Sequence, residues 1–418
     1  MKRNMKPTEK PELLAPAGNL SKLKVAIDYG ADAVYLGGSR LNLRAFADNF
    51  NDEEIREGVA YAHERGRKVY MTLNVFPHND DMKGLEDYLL GVQELGIDAL
   101  IVADAGIIMT CQEVIPDMEL HLSTQANNVN YKSAKFWHNN GIKRIVLARE
   151  LTLVEIKDLI EKTPDTLEIE AFVHGSMCMA YSGRCLLSSY MVGRDANRGA
   201  CAQPCRYKYY LVEEKRLNKP MEIREDDRGS YIMNSKDMCM IQHIPELMES
   251  GIISFKIEGR MKSDFYVATI VKAYREAMDS YWEDPENYEF NPKWMELLEK
   301  VSHRKYFTGF YFGRNNSQTY ESSNYVRNYD IVANVLKKEA DGRYFMLEKN
   351  RIFPDTEVEV LRSKGEVFTT TLTDFQDEKG NPIEVANKAA MHFSAHCADE
   401  LKEGDILIQA TGETERVM

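Results

Sequence analysis

The sequence predicts an α/β protein: a (β/α)8 barrel of the TIM type with a cysteine-rich insertion after its seventh strand, followed by a small antiparallel β-barrel. Three observations predict this fold. An amphipathic helical stretch, a glycine and a short apolar strand recur from Pro11 to about residue 262. The interval before the last of these strands is much longer than the others. Beyond residue 330 the pattern changes to strand-like alternation with glycine-containing turns.

The repeated unit is recognised by the glycines that separate its helices from its strands, because glycine readily takes the left-handed conformation that ends a helix. Short apolar runs follow Gly30, Gly66, Gly96, Gly141 and Gly251. Three further runs, near residues 11, 118 and 167, bring the predicted strands to eight. Their near-continuous apolar character is typical of parallel strands covered by helices on both faces. Eight units favour a closed barrel, with a doubly wound open sheet as the alternative.

The long interval places five of the seven cysteines in the loop after strand seven. In (β/α)8 enzymes the loops at the carboxyl ends of the strands carry the chemistry. The carboxyl region has no crowded titratable motif, so we interpret its small barrel as a docking or packing module. The predicted boundaries are a disordered start at 1–10, the barrel at 11–313 with the insertion at 175–250, a linker at 314–329 and the small barrel at 330–418.

Charge and hydropathy limit the partners of the protein. The amino terminus is charged and lacks the apolar stretch of a signal peptide, and no apolar run of about 18 residues occurs later. We therefore expect a cytoplasmic protein with no membrane partner. The formal net charge of −13 argues against non-specific adhesion to nucleic acid, because an acidic surface repels phosphates. Any contact with nucleic acid must be local.

The cysteines are crowded: Cys178, Cys185, Cys201 and Cys205 lie close together in sequence, and Cys239 follows. In a chain without a secretory signal this pattern favours thiolates around a metal or cluster over a disulfide framework. Structural zinc sites usually contain CxxC pairs, which this sequence lacks, whereas iron–sulfur ligands have broader spacings. An iron–sulfur cluster, a zinc site, and structural or redox cysteines all stay open on this pattern.

The segment EAFVHGSMCMAYSGRCLLS resembles the signature of the collagenase-like peptidase family U32. The matching residues are Glu170, Phe172, Gly175, Ser176, Met177, Cys178, Gly183, Cys185, Leu187 and Ser188. Further resemblance lies in PELLAPAGN, GADAVYLGG, HLSTQ, VLARE, RDANRGACAQPCRY, NSKDMC and SFKIEGRMKS, and so spans the predicted barrel and its insertion. The carboxyl region resembles the small barrel of many members less closely.

The resemblance implies a [4Fe-4S] cluster and an oxygen-independent hydroxylation. The implied reaction is prephenate-dependent formation of 5-hydroxyuridine at the wobble position of tRNA, with ribosomal RNA or a quinone precursor as alternative substrates. Cys178, Cys185 and Cys201 are the implied ligands. We prefer Cys239 as the fourth, because its segment leads into the eighth strand and reaches the same face; Cys205 is the alternative. A second family member is considered as a hetero-oligomeric partner.

Basic and aromatic residues are interleaved in the insertion, with one acid among them. The basic residues between Ala171 and Tyr210 are Arg184, Arg194, Arg198, Arg206 and Lys208. Because arginines bind phosphate and tyrosines stack on unpaired bases, this stretch is a candidate tRNA-binding surface. The same arginines could instead balance the charge of a thiolate-bound cluster or pair with barrel carboxylates.

Polar residues also occur where the predicted barrel strands end. The candidates for catalysis are His174, Arg149, Lys256, Glu258 and Arg260, accompanied by Asn74, Asp104, Gln125 and Glu150. Arg149, Lys256 and Arg260 match a dicarboxylate such as prephenate in charge and hydrogen bonding. The alternative is a salt-bridged ring that closes the barrel mouth. His174 is a candidate acid, a neighbour of the cluster, or a structural histidine at a strand end.

Two other classes of function are considered. The first is a peptidase, as the family name suggests. The sequence contains neither an HExxH zinc motif nor a GxSxG nucleophile elbow, although a cysteine nucleophile with His174 as its base stays open. A non-catalytic assembly or electron-transfer protein would use the cluster as a redox relay. The presence of a cluster distinguishes both this protein and a hydroxylase from a peptidase. Loss of a tRNA modification on gene deletion identifies the hydroxylase.

Overall fold

The computed structural model describes residues 9–43, 49–178, 180–206, 210–211, 221–222, 236–313 and 326–411. Most of the predicted disordered start and most of the predicted linker lie outside the described residues, as do Lys208 and the side chain of Arg206.

Strands and helices alternate through the first part of the chain. Strands β1 to β7 are Glu12–Pro16, Ala33–Gly37, Lys68–Leu73, Ala99–Val102, Glu119–Leu122, Arg144–Val146 and Glu168–Ser176. Helices α1 to α6 are Leu20–Asp28, Asp52–His63, Leu85–Glu94, Ala105–Val114, Tyr131–Asn139 and Leu153–Glu161. The next elements are α7 (Leu187–Val192), β8 (Tyr210–Leu211), β9 (Met221–Glu222), β10 (Asp237–Cys239), α8 (Ile244–Met248), β11 (Ser254–Ile257), α9 (Asp264–Glu283), α10 (Pro292–Glu299) and β12 (Tyr306–Phe307). The carboxyl region contains β13 (Tyr329–Lys338), β14 (Tyr344–Glu348), β15 (Glu357–Leu361), β16 (Phe368–Asp377), β17 (His392–Cys397) and β18 (Ile406–Ala410).

Parallel pairing closes the first group of strands into a ring. Strands β1 to β7 pair in sequence order, and β11 pairs with both β7 and β1. This closure confirms the predicted (β/α)8 barrel and excludes the open sheet. The five glycines predicted to end helices have positive φ angles between 65° and 112°. Among the described residues, no helix is long and apolar enough to span a membrane.

Strand β7 continues beyond the barrel. Its last three residues, 174–176, pair antiparallel with β10, and β12 extends this small sheet. The insertion therefore leaves the barrel at the carboxyl end of strand seven, as the sequence predicts. The segment around Cys239 does not lead directly into the eighth barrel strand, because it forms β10 and is followed by α8 before β11 begins. That part of the sequence interpretation is wrong.

Charged side chains fill the barrel interior below this rim. The fully buried carboxylate of Glu170 accepts a hydrogen bond from Lys256 Nζ at 2.7 Å and lies 3.4 Å from Arg144 Nη1. Arg144 also donates to Glu12 at 2.6 Å. Burial alone would raise the pKa of Glu170, but Lys256 and Arg144 hold it below its ordinary value. The carboxylate therefore stays ionised and fixes the position of Lys256.

The carboxyl region forms a separate closed barrel with the strand order β13-β14-β17-β16-β15-β18. The alternating pattern predicts five of these strands. It does not predict β17, because the histidine, serine and alanine residues of this strand weaken its apolar pattern. The two barrels are in contact, since the Tyr29 hydroxyl donates to the Leu361 carbonyl at 2.8 Å. Leu361, Ile406 and Ile408 also join the hydrophobic core of the larger barrel.

Candidate functional site

A cavity of about 180 Å³ lies at the carboxyl ends of the barrel strands, beneath the insertion. Six of the polar residues predicted at strand ends line it: Asn74, Gln125, Arg149, Lys256, Glu258 and Arg260. Asp104 does not, because its carboxylate caps helix α4 by accepting hydrogen bonds from the amides of Gly106 and Ile107.

Arg260 is held rigidly at the cavity wall. Its guanidinium donates to Thr72 Oγ1 at 3.2 Å, to Asn42 Oδ1 at 3.1 Å and to Asn49 Oδ1 at 3.2 Å. A Cβ at Gly37 would lie 2.5 Å from Arg260 Nη2, so the glycine at the end of β2 leaves room for the guanidinium in this position. These three oxygen partners are neutral. The group is therefore pre-positioned to bind an anion.

Lys256 is less available than its sequence position suggests. Its ammonium group is bound to Glu170 and lies 4.4 Å from the centre of the Tyr35 ring. Lys256 is therefore a salt-bridged residue, as the alternative interpretation of the strand-end residues expected, although its side chain still forms part of the cavity floor. The cations that can face a ligand are chiefly Arg149 and Arg260.

Arg149 joins the barrel rim to the start of the insertion. Its Nη1 donates to the Ser176 carbonyl at 3.0 Å, and its guanidinium lies 5.4 Å from the centre of the Phe172 ring. Burial alone would lower the pKa of Arg149, but a hydrogen bond and the charge of Cys178, with the carboxylates of Glu150 and Glu258, raise it. Arg149 is therefore a permanent cation beside a cysteine of the cavity.

Four thiols line the same cavity: Cys178, Cys185, Cys201 and Cys205. They come from different turns of the insertion, between the end of β7 and the short helical turn Pro204–Arg206. Within the described ranges, no group of three or more His, Cys, Asp or Glu side chains is placed to hold a single metal ion. The thiols instead lie around a shared space.

Cys239 lies elsewhere, which argues against its preferred place in the ligand set. Its side chain is 6% exposed, does not line the cavity, and has its sulfur 4.0 Å from the Tyr274 hydroxyl of α9. Burial raises the pKa of the Cys239 thiol to about 12, so it stays protonated. The physical reason is the antiparallel pairing of β10 with β7, which turns Cys239 toward the helix layer. The alternative, Cys205, has the better position.

The insertion is anchored over the mouth by hydrogen bonds and one close backbone approach. The Glu150 carboxylate accepts from the Ser182 amide at 2.8 Å, and Asn127 Nδ2 donates to the Ser182 carbonyl at 3.0 Å. Next to them Gly183 has φ +71°, and an added Cβ would lie 1.9 Å from the Gln125 carbonyl oxygen. Glu150 therefore positions the insertion. Gly183 lets it touch the loop after β5.

His174 lies outside the cavity, contrary to its expected place near the cluster. Its ring is buried among Tyr266, Tyr274 and Tyr306, with ring centres 6.1, 5.5 and 5.4 Å away. Neither ring nitrogen has a hydrogen-bond partner among the described residues. His174 does not line the cavity. Its role is structural.

The predicted basic surface is described at three of its five residues. Arg198 forms an ion pair with Asp81 at 2.7 Å, and Arg194 Nε donates to the Ala200 carbonyl at 3.0 Å. Arg184 is exposed beside the mouth. Tyr181 and Tyr190 are 53% and 90% exposed, so both rings are accessible for stacking. The surface thus borders the cavity that contains the thiols.

Several residues of the site escape sequence reasoning. Tyr35 lines the cavity from the middle of β2 and Thr72 from the end of β3, and the only sequence signal for either is its place in a predicted strand. Asn42 and Asn49 hold Arg260 from the loop after β2, and no local pattern marks them.

The chain is similar to known proteins over nearly its whole length. The family model "Peptidase family U32" matches residues 18–321, and "Peptidase family U32 C-terminal domain" matches residues 327–407. The tRNA hydroxylation protein P1 of Bacillus subtilis (strain 168) is 45% identical over 382 residues, 91% of this chain and 90% of that protein. The tRNA hydroxylation protein P of Escherichia coli (strain K12) is 37% identical over 422 residues, 90% of this chain and 91% of that protein.

A relative that matches a shorter part of the chain is the 23S rRNA 5-hydroxycytidine C2501 synthase of Escherichia coli (strain K12). It is 38% identical over 273 residues, which are 65% of this chain and 40% of that protein.

The burial of His174 predicts a pH dependence of stability. Burial lowers its pKa from 6.5 to about 3, so below pH 6.5 the unfolded chain binds a proton that the folded chain excludes. Stability from this residue is complete above pH 6.5 and falls by about 1.4 kcal/mol for each pH unit between pH 6.5 and about pH 3. We expect His174→Phe to remove about 2 kcal/mol of the loss between pH 6.5 and 5, as measured by denaturant unfolding.

The control for this experiment is His392→Phe, which changes a partly exposed histidine of the small barrel. Equal pH dependence in the wild type, the control and His174→Phe would contradict the burial of a neutral imidazole.

Proposed function

The chain belongs to peptidase family U32, and from this membership and the site geometry we propose that it hydroxylates the wobble uridine of tRNA to 5-hydroxyuridine. The reaction is oxygen-independent and uses a [4Fe-4S] cluster with prephenate as co-substrate. The observation that carries this proposal is the convergence of four insertion thiols and two arginines on one cavity at the barrel mouth. The relatives named for RNA hydroxylation support the substrate class.

The donor set fits the cluster. A [4Fe-4S] cluster takes up to four cysteine thiolates, and each binds a different iron, so the thiols surround the group rather than meet at one ion. Cys178, Cys185, Cys201 and Cys205 all line one cavity, which supports this ligand set. When bound, the cluster supplies one-electron chemistry or a Lewis-acidic iron. Arg149 contributes a fixed positive charge beside the anionic group.

Two arginines suit a dicarboxylate co-substrate. Arg260 presents a guanidinium fixed by Thr72, Asn42 and Asn49, and Arg149 presents a second one to the same cavity, near the insertion. A guanidinium binds a carboxylate through two parallel hydrogen bonds, which fixes orientation as well as position. The two residues therefore bind and orient the co-substrate. Lys256 contributes through the floor that it forms with Glu170.

The insertion provides the surface for the RNA. Arg184 and the exposed rings of Tyr181 and Tyr190 lie beside the cavity on a chain whose formal net charge is −13. Local cations and aromatic rings are what a single-stranded loop requires. A base in a loop is already unpaired, so its entry into a cavity breaks no base pair.

The peptidase alternative receives no support from the described residues. Its candidate base, His174, is buried behind strand β7, and the thiols line the cavity on the other side of that strand. A nucleophile requires its base within hydrogen-bond reach. Cytoplasmic location and assembly with a second family member stay predictions.

Deletion of the gene tests the proposed function. In a strain without redundant family members, digests of total tRNA should lose wobble 5-hydroxyuridine, as measured by mass spectrometry of nucleosides. Re-expression of the wild-type chain should restore it. An unchanged nucleoside profile would reject the tRNA assignment, and a loss confined to ribosomal RNA would assign the alternative substrate.

Cysteine variants test the ligand set. Anaerobically purified wild type should be brown, with about four iron and four sulfide atoms per chain. Alanine at Cys178, Cys185, Cys201 or Cys205 should remove most of the iron, because each side chain borders the cavity. Cys239→Ala should keep it, like the matched control Cys111→Ala, which alters a buried thiol on helix α4.

Two outcomes would contradict this ligand set. A colourless, zinc-loaded wild type would reject the cluster. A brown Cys205→Ala protein together with a colourless Cys239→Ala protein would identify Cys239, and not Cys205, as the fourth ligand.

A further inference from the structure

A second groove opens beside the thiol cavity. Its volume is about 420 Å³, and it runs between the loop after β3 and the insertion. Gly183 and Asn197 line both the groove and the cavity, so the two spaces are adjacent and share a wall. The fold therefore offers two neighbouring compartments at the barrel mouth.

The groove is built from segments that are tied together. The Phe76 amide donates to the Asn197 carbonyl at 3.2 Å, which joins the β3 loop to the insertion. Arg198 pairs with Asp81 at 2.7 Å across the same junction, and the Asp81 carboxylate accepts from the His78 amide at 2.8 Å. The backbone bond and the ion pair fix the width of the groove before any ligand binds.

The lining of the groove combines flat or apolar groups with an available cation. Phe76, Pro77 and His78 form the wall from the β3 loop, and Arg184 forms part of the wall from the insertion. Arg184 is exposed, and its guanidinium makes no hydrogen bond or ion pair with the described residues. Asp195 is also part of the lining, but its carboxylate is engaged by the Asn197 amide at 2.9 Å.

We propose that this groove binds the nucleotide next to the one that reacts. The base packs against Phe76 and His78, and the adjoining phosphate is bound by Arg184. An aromatic or imidazole face accepts any base by stacking, and a guanidinium accepts phosphate through charge-assisted hydrogen bonds. The proposal rests on the proposed function and adds a substrate subsite to it.

Adjacency is the reason for assigning a neighbouring nucleotide rather than an unrelated ligand. An enzyme that acts on a base must take that base out of its stack, which separates it from the next nucleotide along the strand. A compartment for the neighbour recovers the stacking that is lost and fixes the backbone on one side of the reacting unit. The groove lies in the position required, because it shares Gly183 and Asn197 with the cavity.

Binding of a synthetic anticodon stem-loop RNA to the full-length, anaerobically purified protein tests the subsite. The variants are Phe76→Ala and Arg184→Ala. The matched controls are Phe136→Ala, a 59% exposed ring on α5, and Arg56→Ala, an exposed side chain on α2. Two further RNAs lack the base on one side or the other of the wobble uridine. Dissociation constants are measured by fluorescence anisotropy, and thermal melting verifies that each variant is folded.

We expect Phe76→Ala and Arg184→Ala to bind the complete RNA about tenfold more weakly than the wild type, with both controls unchanged. Removal of one neighbouring base should weaken wild-type binding by a similar factor, about tenfold. The same removal should weaken RNA binding by Phe76→Ala little further. This loss of additivity is the signature of a base that contacts Phe76.

The subsite is rejected if the wild type binds the RNA and the groove variants bind it as tightly as the controls, or if the base removal and Phe76→Ala act additively. Either result leaves the proposed tRNA activity intact. A wild-type protein that does not bind the anticodon stem-loop overturns the subsite together with the proposed function.

Discussion

The close approach of strands β7 and β11 at the barrel rim is the constraint on which the site depends. The Glu258 amide donates to the His174 carbonyl at 2.9 Å, and the next residue, Gly175, has φ +113°. A Cβ at Gly175 would lie 2.5 Å from the Glu258 carbonyl oxygen, so glycine is required for the two strands to meet. The chain then crosses the barrel mouth and reaches Cys178 three residues later.

Charge is distributed in layers below and around this crossing. In the barrel interior, Glu170 neutralises Lys256 and interacts with Arg144, so the floor of the cavity carries fixed but largely compensated charge. At the level of the cavity, the guanidinium groups of Arg149 and Arg260 are held by hydrogen bonds to carbonyl, amide or hydroxyl oxygens. The mouth therefore offers two guanidinium groups to anionic groups such as thiolates, carboxylates and phosphates.

The repeating parts of the fold could be predicted from the sequence because they have local signals. Glycine before an apolar run marks five of the helix-to-strand junctions of the large barrel, and the long interval before β11 locates the insertion. Three of the four cysteines that line the cavity follow from the family resemblance. The positions of Arg149 and Arg260 at the mouth follow from the rule that barrel enzymes place their chemistry at the carboxyl ends of strands.

The errors arise where pairing between distant segments decides the direction of a side chain. A register shift between β7 and β11 near Ile257 alters the alternation, so Phe172 lines the cavity while His174 faces the tyrosines of α9. Cys239 lies away from the cavity for a similar reason, because the antiparallel pairing of β10 with β7 has no local signal. Cys205 reaches the cavity through a turn that spacing alone does not predict.

The location of iron in a crystal of the anaerobically prepared protein would show directly whether the four cavity thiols hold the cluster. Anomalous scattering at the iron edge should give density in the cavity bounded by Cys178, Cys185, Cys201 and Cys205. A peak beside Cys239, or a protein whose cavity contains no iron when the cluster is present in solution, would contradict the account.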